Sequence, residues 1–246
     1  MTAVAALHGV VADYDRRALG PFDLSLNAGE IVALVGPSGC GKSTALRLLA
    51  GLEQPSAGTV TRTVSRGETA LVFQSPTLAP WLSALDNAAL PMRLAGQSKA
   101  QAREAAALAL GRVGLGDAMT KSPAQLSGGM AMRASLARAL VAEPRLLLLD
   151  EPFAALDEIT RRQLADDVLK LAAQLKPALL FVTHNVEEAV YMASRVVVMT
   201  PCPGRAAGEV AVEGPLVRPP GFRTTEAFRD TVERVSAMLG DAMAGA

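Results

Sequence analysis

The chain reads as an α/β protein with a largely parallel sheet, and three observations carry that expectation. Strand-like and helix-like segments alternate along its length. Three of the strand-like segments are continuous apolar runs, Ile31 to Val35 (IVALV), Arg145 to Asp150 (RLLLLD) and Ala178 to Thr183 (ALLFVT), the pattern of parallel strands buried on both faces. A glycine-rich loop joins the first run to a leucine-bearing segment free of helix breakers.

Taken in order, Phe22 to Leu26 alternates and ends at Ala28-Gly29, so it predicts a strand, and Ile31 to Val35 is a β-branched run stopped by Gly36. Thr44 to Ala50 predicts a helix ended by Gly51, and Thr69 to Phe73 another strand. From about Ser75 to Gln125 the texture turns to prolines and then to an alanine-rich helix, with Ser98 and Gln101 as a capping-box pair. This stretch reads as a helical subdomain inserted into the α/β core, which divides the chain into core segments 1–74 and 144–205, a helical part 75–143 that includes the helix after Leu126, and a C-terminal extension 206–246. Between the last two apolar runs, Ile159, Val168, Leu171, Ala172 and Leu175 form one helical stripe, while Arg162, Asp166 and Lys170 form a charged row expected to face solvent. Residues 201–221 hold five prolines and four glycines, and a last amphipathic helix carries Phe228, Val232, Val235 and Leu239.

Composition narrows the function. The 246 residues carry 24 basic and 24 acidic side chains, which disfavours a polybasic nucleic-acid binder. Mean hydropathy is +0.26, yet the apolar runs fall far short of the roughly 20 residues of a spanning helix. The N-terminus lacks the pattern of a secretory signal, so a cytosolic protein with Cys40 and Cys202 as free thiols is expected.

Gly36, Pro37, Ser38, Gly39, Cys40, Gly41, Lys42, Ser43 and Thr44 spell G-x-x-x-x-G-K-[ST] between a strand and a helix, the context of a phosphate-binding P-loop. Glycines let successive N–H groups point at phosphate, and the helix adds its positive end. Lys42 supplies a charge for the β- and γ-phosphates, Ser43 a ligand for Mg²⁺, and Thr44 a hydrogen bond. Cys40 fills a small-residue position where a thiol could confer sensitivity to alkylation. Asp150 and Glu151 end a buried strand at the carboxyl edge of the sheet, where such folds bind ligands. There Asp150 can hold Mg²⁺ through its water shell and Glu151 can deprotonate an attacking water, the alternative being a helix cap. His184 ends the next strand and is either structural or a donor to the γ-phosphate. Ser127, Gly128 and Gly129 open a second helix with exposed N–H groups; they are either a tight turn or a phosphate cradle for a nucleotide held by another copy.

GPSGCGKST, Gln74 in VFQSP, LSGGM, LLLLDEP, AALD through Asp157 and His184 occur in the order of the ATP-binding cassette ATPases, which the chain resembles over about residues 4 to 205. The resemblance implies the P-loop ATPase fold of that family, with an N-terminal antiparallel β part, and an ATPase using ATP and Mg²⁺. It implies that Gln74 links the Mg²⁺ site to the helical subdomain, that Ser127 and Gly129 reach the γ-phosphate across a head-to-tail homodimer, and that Asp157 lies at the dimer seam. Tyr14 stands where the family places an adenine-stacking aromatic, the alternative being a strand tyrosine. SPTLAPWLSALDNAALPM, the methionine closing LSGGM and PCPGR at Pro201 to Arg205 look like the branch importing nitrate, sulfonates and taurine, or thiamine-precursor pyrimidines. By that resemblance the surface at Trp81 receives a membrane permease subunit, with a solute-binding protein as an indirect partner and no nucleic acid; the alternative is a core anchor. The implied location is the cytoplasmic side of the plasma membrane. Other solutes, export, and a non-transport ATPase are the competing readings. Ala131 and Met132 stand where the family usually has a glutamine, a departure expected to alter side-chain contacts around the signature helix.

Overall fold

The apolar runs become the middle of a six-stranded sheet. The structure is a computed structural model that describes residues 3–14, 17–154 and 156–245. In chain order the elements are β1 (Ala5–Asp13), β2 (Arg17–Leu26), β3 (Ile31–Val35), α1 (Lys42–Ala50), β4 (Ala57–Arg62), β5 (Thr69–Val72), α2 (Ala84–Leu94), α3 (Lys99–Arg112) and α4 (Gly128–Leu140). There follow β6 (Leu146–Asp150), α5 (Glu158–Leu175), β7 (Ala178–Thr183), α6 (Val186–Met192), β8 (Arg195–Met199), β9 (Ala206–Ala211) and α7 (Glu226–Ala244). The large sheet has the order β5-β6-β7-β3-β8-β9; every pair is parallel except β8 with β9. A second sheet, β2-β1-β4, is antiparallel, in line with the N-terminal part expected from the family likeness.

Strand alternation explains why the runs are apolar throughout. Ile31, Ala33 and Val35 join one core together with Leu147, Leu149, Leu179 and Phe181, while Val32 and Leu34 join a second core with Leu146, Leu148, Leu180 and Val182. Side chains alternate between the faces of a strand, so a strand covered on both sides has no polar position to spare. The first core is covered by α2 to α7, and the second by α1 and the antiparallel sheet.

Helices α2, α3 and α4 pack together in the segment expected to be helical. Ser98 caps α3 by accepting from Gln101 N at 3.3 Å. Asn87, wholly buried on α2, donates to the carbonyls of Ala79, Leu82 and Ser83 and accepts from Ala79 N, which pins the turn carrying Trp81. Trp81 itself is 81% exposed, so it is not a core anchor. Arg138 on α4 donates to Pro76 O and Thr77 O and ties the segment after Gln74 to the signature helix.

Several expectations are corrected. Ile159 does not share the buried stripe of α5; it is 80% exposed, because the buried face is completed by Leu164, Ala165 and Leu169. Asp166 is not simply solvated, since it accepts a 2.5 Å hydrogen bond from Tyr191 on α6. Phe73 and Arg145 lie just outside their strands. Strands β1, β4 and β9 carry weak patterns, with Gly58 and Gly208 inside the last two, and were not legible individually.

The extension after β9 folds back on the molecule. Arg218 is buried and donates to Tyr191 O at 2.8 Å and Ala193 O at 2.7 Å at the end of α6, while Phe228 and Val235 of α7 enter the first core.

Candidate nucleotide site at the carboxyl edge of the sheet

Neighbouring strands β5, β6, β7 and β3 all run the same way, so the residues following them line one edge. That places Gln74, the Asp150-Glu151 pair, His184 and the loop from Gly36 side by side, although they are far apart in the chain.

The loop after β3 has little room for side chains. A Cβ on Gly36 would meet Cys40 Sγ at 2.9 Å and Met199 Cβ at 3.0 Å; one on Gly41, at φ +94°, would meet Ala18 O at 2.8 Å. Lys42 opens α1 and is 6% exposed, with Nζ donating to Gly36 O at 2.7 Å and Pro37 O at 2.9 Å. Its charge is thus held against the backbone of its own loop. Cys40 is buried, and burial pushes its thiol pKa up, which opposes thiolate formation and the alkylation considered from the sequence. Cys202 is exposed and free. Thr44 is buried.

Ser43 Oγ donates to Asp150 Oδ1 at 2.9 Å. Burial raises the Asp150 carboxyl above the usual aspartate range, with the Ser43 hydrogen bond acting against it. Beside it Glu151 adopts φ +44°, a left-handed backbone that a non-glycine residue holds at a cost of order 1 to 3 kcal/mol. One oxygen, Glu151 Oε2, accepts from Gln74 Nε2 at 3.3 Å and lies 3.4 Å from His184 Nδ1. Three sequence-predicted residues thus meet at a single atom.

Tyr14 follows the end of β1 and is 56% exposed, so it is not a strand tyrosine packed in the core. Its hydroxyl donates to the Glu53 carboxylate; burial and that bond raise its pKa, while a hydrogen bond to Thr44 of the loop lowers it.

Ser127, Gly128 and Gly129 stand elsewhere. Ser127 caps α4 by accepting from Met130 N at 3.3 Å, and a Cβ on Gly129 would lie 3.0 Å from Thr160 Cγ2 and 3.4 Å from Leu156 Cδ2. This turn therefore sits against the start of α5, beside Asp157, and among the described residues no hydrogen bond joins it to residues 36–44. Asp157 is the N-cap of α5 and accepts from Thr160 N at 3.0 Å, and its hydrogen bonds to Thr160 hold the carboxyl below the usual range. Met132, one of the departures from the family pattern, is buried in the first core.

Sequence reasoning passed over Arg161 and Glu188, whose side chains lie behind Glu151 and His184. The available signal was slight: Asn185 and Glu188 have the spacing of an N-cap and its third residue, and Asn185 Oδ1 does accept from Glu188 N at 3.0 Å.

Residues 19–154, more than half of the chain, match the family model described as ABC transporter. The chain is 43% identical over 241 residues to the aliphatic sulfonates import ATP-binding protein SsuB 2 of Pseudomonas savastanoi pv. phaseolicola, covering 98% of this chain and 85% of that protein. It is 45% identical over 193 residues to the taurine import ATP-binding protein TauB of Chromobacterium violaceum, covering 76% and 74% respectively. Among solved structures it resembles a dimeric post-hydrolysis state of the ATP-binding cassette MJ0796 bound to ADP and Pi, with a TM-score of 0.77 and 30% identity over 85% of this chain and 99% of that one. The strand order, the phosphate loop and these likenesses converge: the chain belongs to the ABC transporter family and is an ATP-binding cassette that hydrolyses ATP.

Proposed function

We propose that two copies of this cassette close head to tail on two ATP molecules and power import of a small solute through membrane permease subunits. The observation that carries the pairing is that Ser127 to Gly129 pack against Leu156 and Thr160 at the start of α5 and, among the described residues, make no hydrogen bond to residues 36–44. A phosphate held by residues 36–44 can gain the N–H groups of this turn only from another copy, with Asp157 at the seam. The dimeric cassette among the structural relatives supports this arrangement.

On this reading Lys42 and the loop amides hold the phosphates and Tyr14 lies against the base. Ser43 and Asp150 form an oxygen-only donor pair, which fits Mg²⁺, an ion that keeps several waters and takes phosphate oxygens besides. When bound, the ion screens the phosphate charge. Glu151 takes the proton of the attacking water, Gln74 holds its carboxylate toward the helical part, and His184 orients it from the other side and reaches the γ-phosphate. Hydrolysis removes the contact that favours the closed pair, so the pair reopens.

Trp81, a large apolar side chain left 81% exposed on the turn before α2, offers the permease a contact. No helix among the described residues is long and apolar enough to cross a membrane, and we place the cassette on the cytoplasmic side of the plasma membrane, held by its permease. The chain divides, in this view, into core segments 1–74 and 144–205, a helical part 75–143 and an extension 206–246. Relatives named for taurine and aliphatic sulfonates import support a solute of the sulfonate, taurine or nitrate kind, or a thiamine-precursor pyrimidine.

The test is sedimentation of Glu151→Gln with ATP and Mg²⁺. Doubling of mass with two nucleotides per pair is expected, and reversal by Ser127→Arg in both copies; a monomer that binds ATP but never pairs would overturn the proposal. Uptake of a labelled sulfonate by vesicles holding the permease distinguishes the solute classes.

A further inference from the structure

Arg161 and Glu188 belong to none of the motifs above, yet they join the two loops that flank Glu151. Glu188, on α6, is 7% exposed. Its Oε2 accepts a 2.5 Å hydrogen bond from Thr183 Oγ1, which in turn accepts from Asn185 N at 3.0 Å. One carboxylate thereby fixes the backbone on both sides of His184. Its other oxygen, Oε1, lies 3.9 Å from Arg161 Nε. Arg161, in the first turn of α5, donates from Nη2 to Leu156 O at 2.9 Å, the residue before Asp157. A cavity of about 40 Å³ lies between this pair, Glu151 and His184.

The geometry points to Arg161 and Glu188 as positioning residues that carry the placement of the turn at Leu156 and Asp157 to His184 and Glu151. Arg161 is 28% exposed and also donates to Glu158 at 3.3 Å, so the link runs from its Leu156 hydrogen bond at one end to the buried Glu188 carboxylate at the other. The arrangement is therefore held as a unit: a shift of Leu156 moves Arg161, and Glu188 transmits it to Thr183 and His184. Burial pushes the Glu188 carboxyl pKa up, and the Thr183 bond and Arg161 act against it. The inference rests on the reading of Glu151 and His184 as hydrolytic groups, and it adds that the seam sets their position.

Steady-state hydrolysis by the full-length protein tests it. Arg161→Ala is expected to lower kcat about 10- to 100-fold while the KM for ATP changes less than about threefold, since the phosphate loop is untouched. Arg161→Lys should recover part of the loss. Glu188→Gln, which keeps the side-chain shape, should lower kcat in the same direction and serves if the first variant folds poorly. In a cycle with His184→Ala the two losses should not multiply. Arg162→Ala, an exposed neighbour paired to Glu158, should stay within about twofold. Unchanged kcat in Arg161→Ala, or fully multiplicative losses with His184→Ala, would overturn the coupling and leave the assignment of the site standing. Near-wild-type turnover in Glu151→Gln would instead sink the assignment itself, and the coupling with it.

Discussion

The two glycine-rich helix starts of this protein look alike in sequence and are built differently. The loop at Gly36 to Thr44 is enclosed: Gly36 and Gly41 have no space for a Cβ, Lys42 is buried, and its ammonium is held by two carbonyls of the same loop. The turn at Ser127 to Gly129 is open. Ser127 and Gly128 are exposed, no cation stands in the turn, and its one cap satisfies Met130 N. A helix N-terminus by itself attracts an anion only weakly, by about 0.3 to 1 kcal/mol at an exposed site. The enclosed loop adds the charge of Lys42. The open turn adds only N–H groups, useful once something else presents the phosphate. On the proposed reading one is half of a site and the other its complement.

The largest effect expected from breaking this contrast lies at the edge shared with the enclosed loop. Glu151→Gln should reduce kcat about 10²- to 10⁴-fold, the scale of losing a positioned base, with ATP affinity preserved; rapid-quench or coupled-assay turnover checks it. Lys42→Ala should weaken ATP binding by the single chain about 10- to 100-fold, since one charge-assisted contact is worth about 1.5 to 3 kcal/mol. Calorimetry on the monomer measures this, and unchanged affinity would mean that the loop is not a phosphate site. Gly129→Ala should leave that monomer affinity alone and lower kcat by about 10-fold, because a methyl there crowds Thr160 and Leu156 by a few tenths of an ångström and narrows the open face. Equal loss of monomer affinity would place the open turn in the same half-site and erase the distinction.

The smallest effect concerns the outer border of the region behind the open turn, where Tyr191 on α6 bonds Asp166 on α5. Burial first, and Asp166 second, push the Tyr191 phenol up to about 12. A raised phenol pKa contributes stability that is present below the ordinary tyrosine range and is lost as pH rises through the folded value. Alkaline titration of tyrosinate absorbance should therefore show Tyr191 ionising only near about 12. Asp166→Ala should bring it partway down, because burial remains, with hydrolysis unchanged. A wild-type phenol that titrates in the ordinary range would remove the α5 to α6 clip.

What could be read in advance follows from how local each feature is. Periodicity and glycine chemistry are short-range, so the parallel core, the phosphate loop with its strand and helix, the Asp150-Glu151 strand end and the cap at Ser98 were all legible. Strands β4 and β9 were not, because an antiparallel edge tolerates glycine and polar residues and leaves little pattern, and β1, central in its sheet, has its apolar run broken by His8 and Gly9. Ile159 had the spacing of a buried residue, yet it lies on the exposed first turn of α5, beside the Asp157 cap.

The amino-acid order alone determined which chemistry is present: a phosphate cradle, a carboxylate pair, a histidine at a strand end, and a second glycine turn. Only the tertiary structure decided which of these meet. Placing β7 between β6 and β3 brings Gln74, Glu151 and His184 to a single carboxylate oxygen, sets Ser127 to Gly129 apart with Asp157, and buries Glu188 where it joins both loops. Strand order is set by the packing of distant apolar faces, a long-range choice that leaves no mark on neighbouring residues.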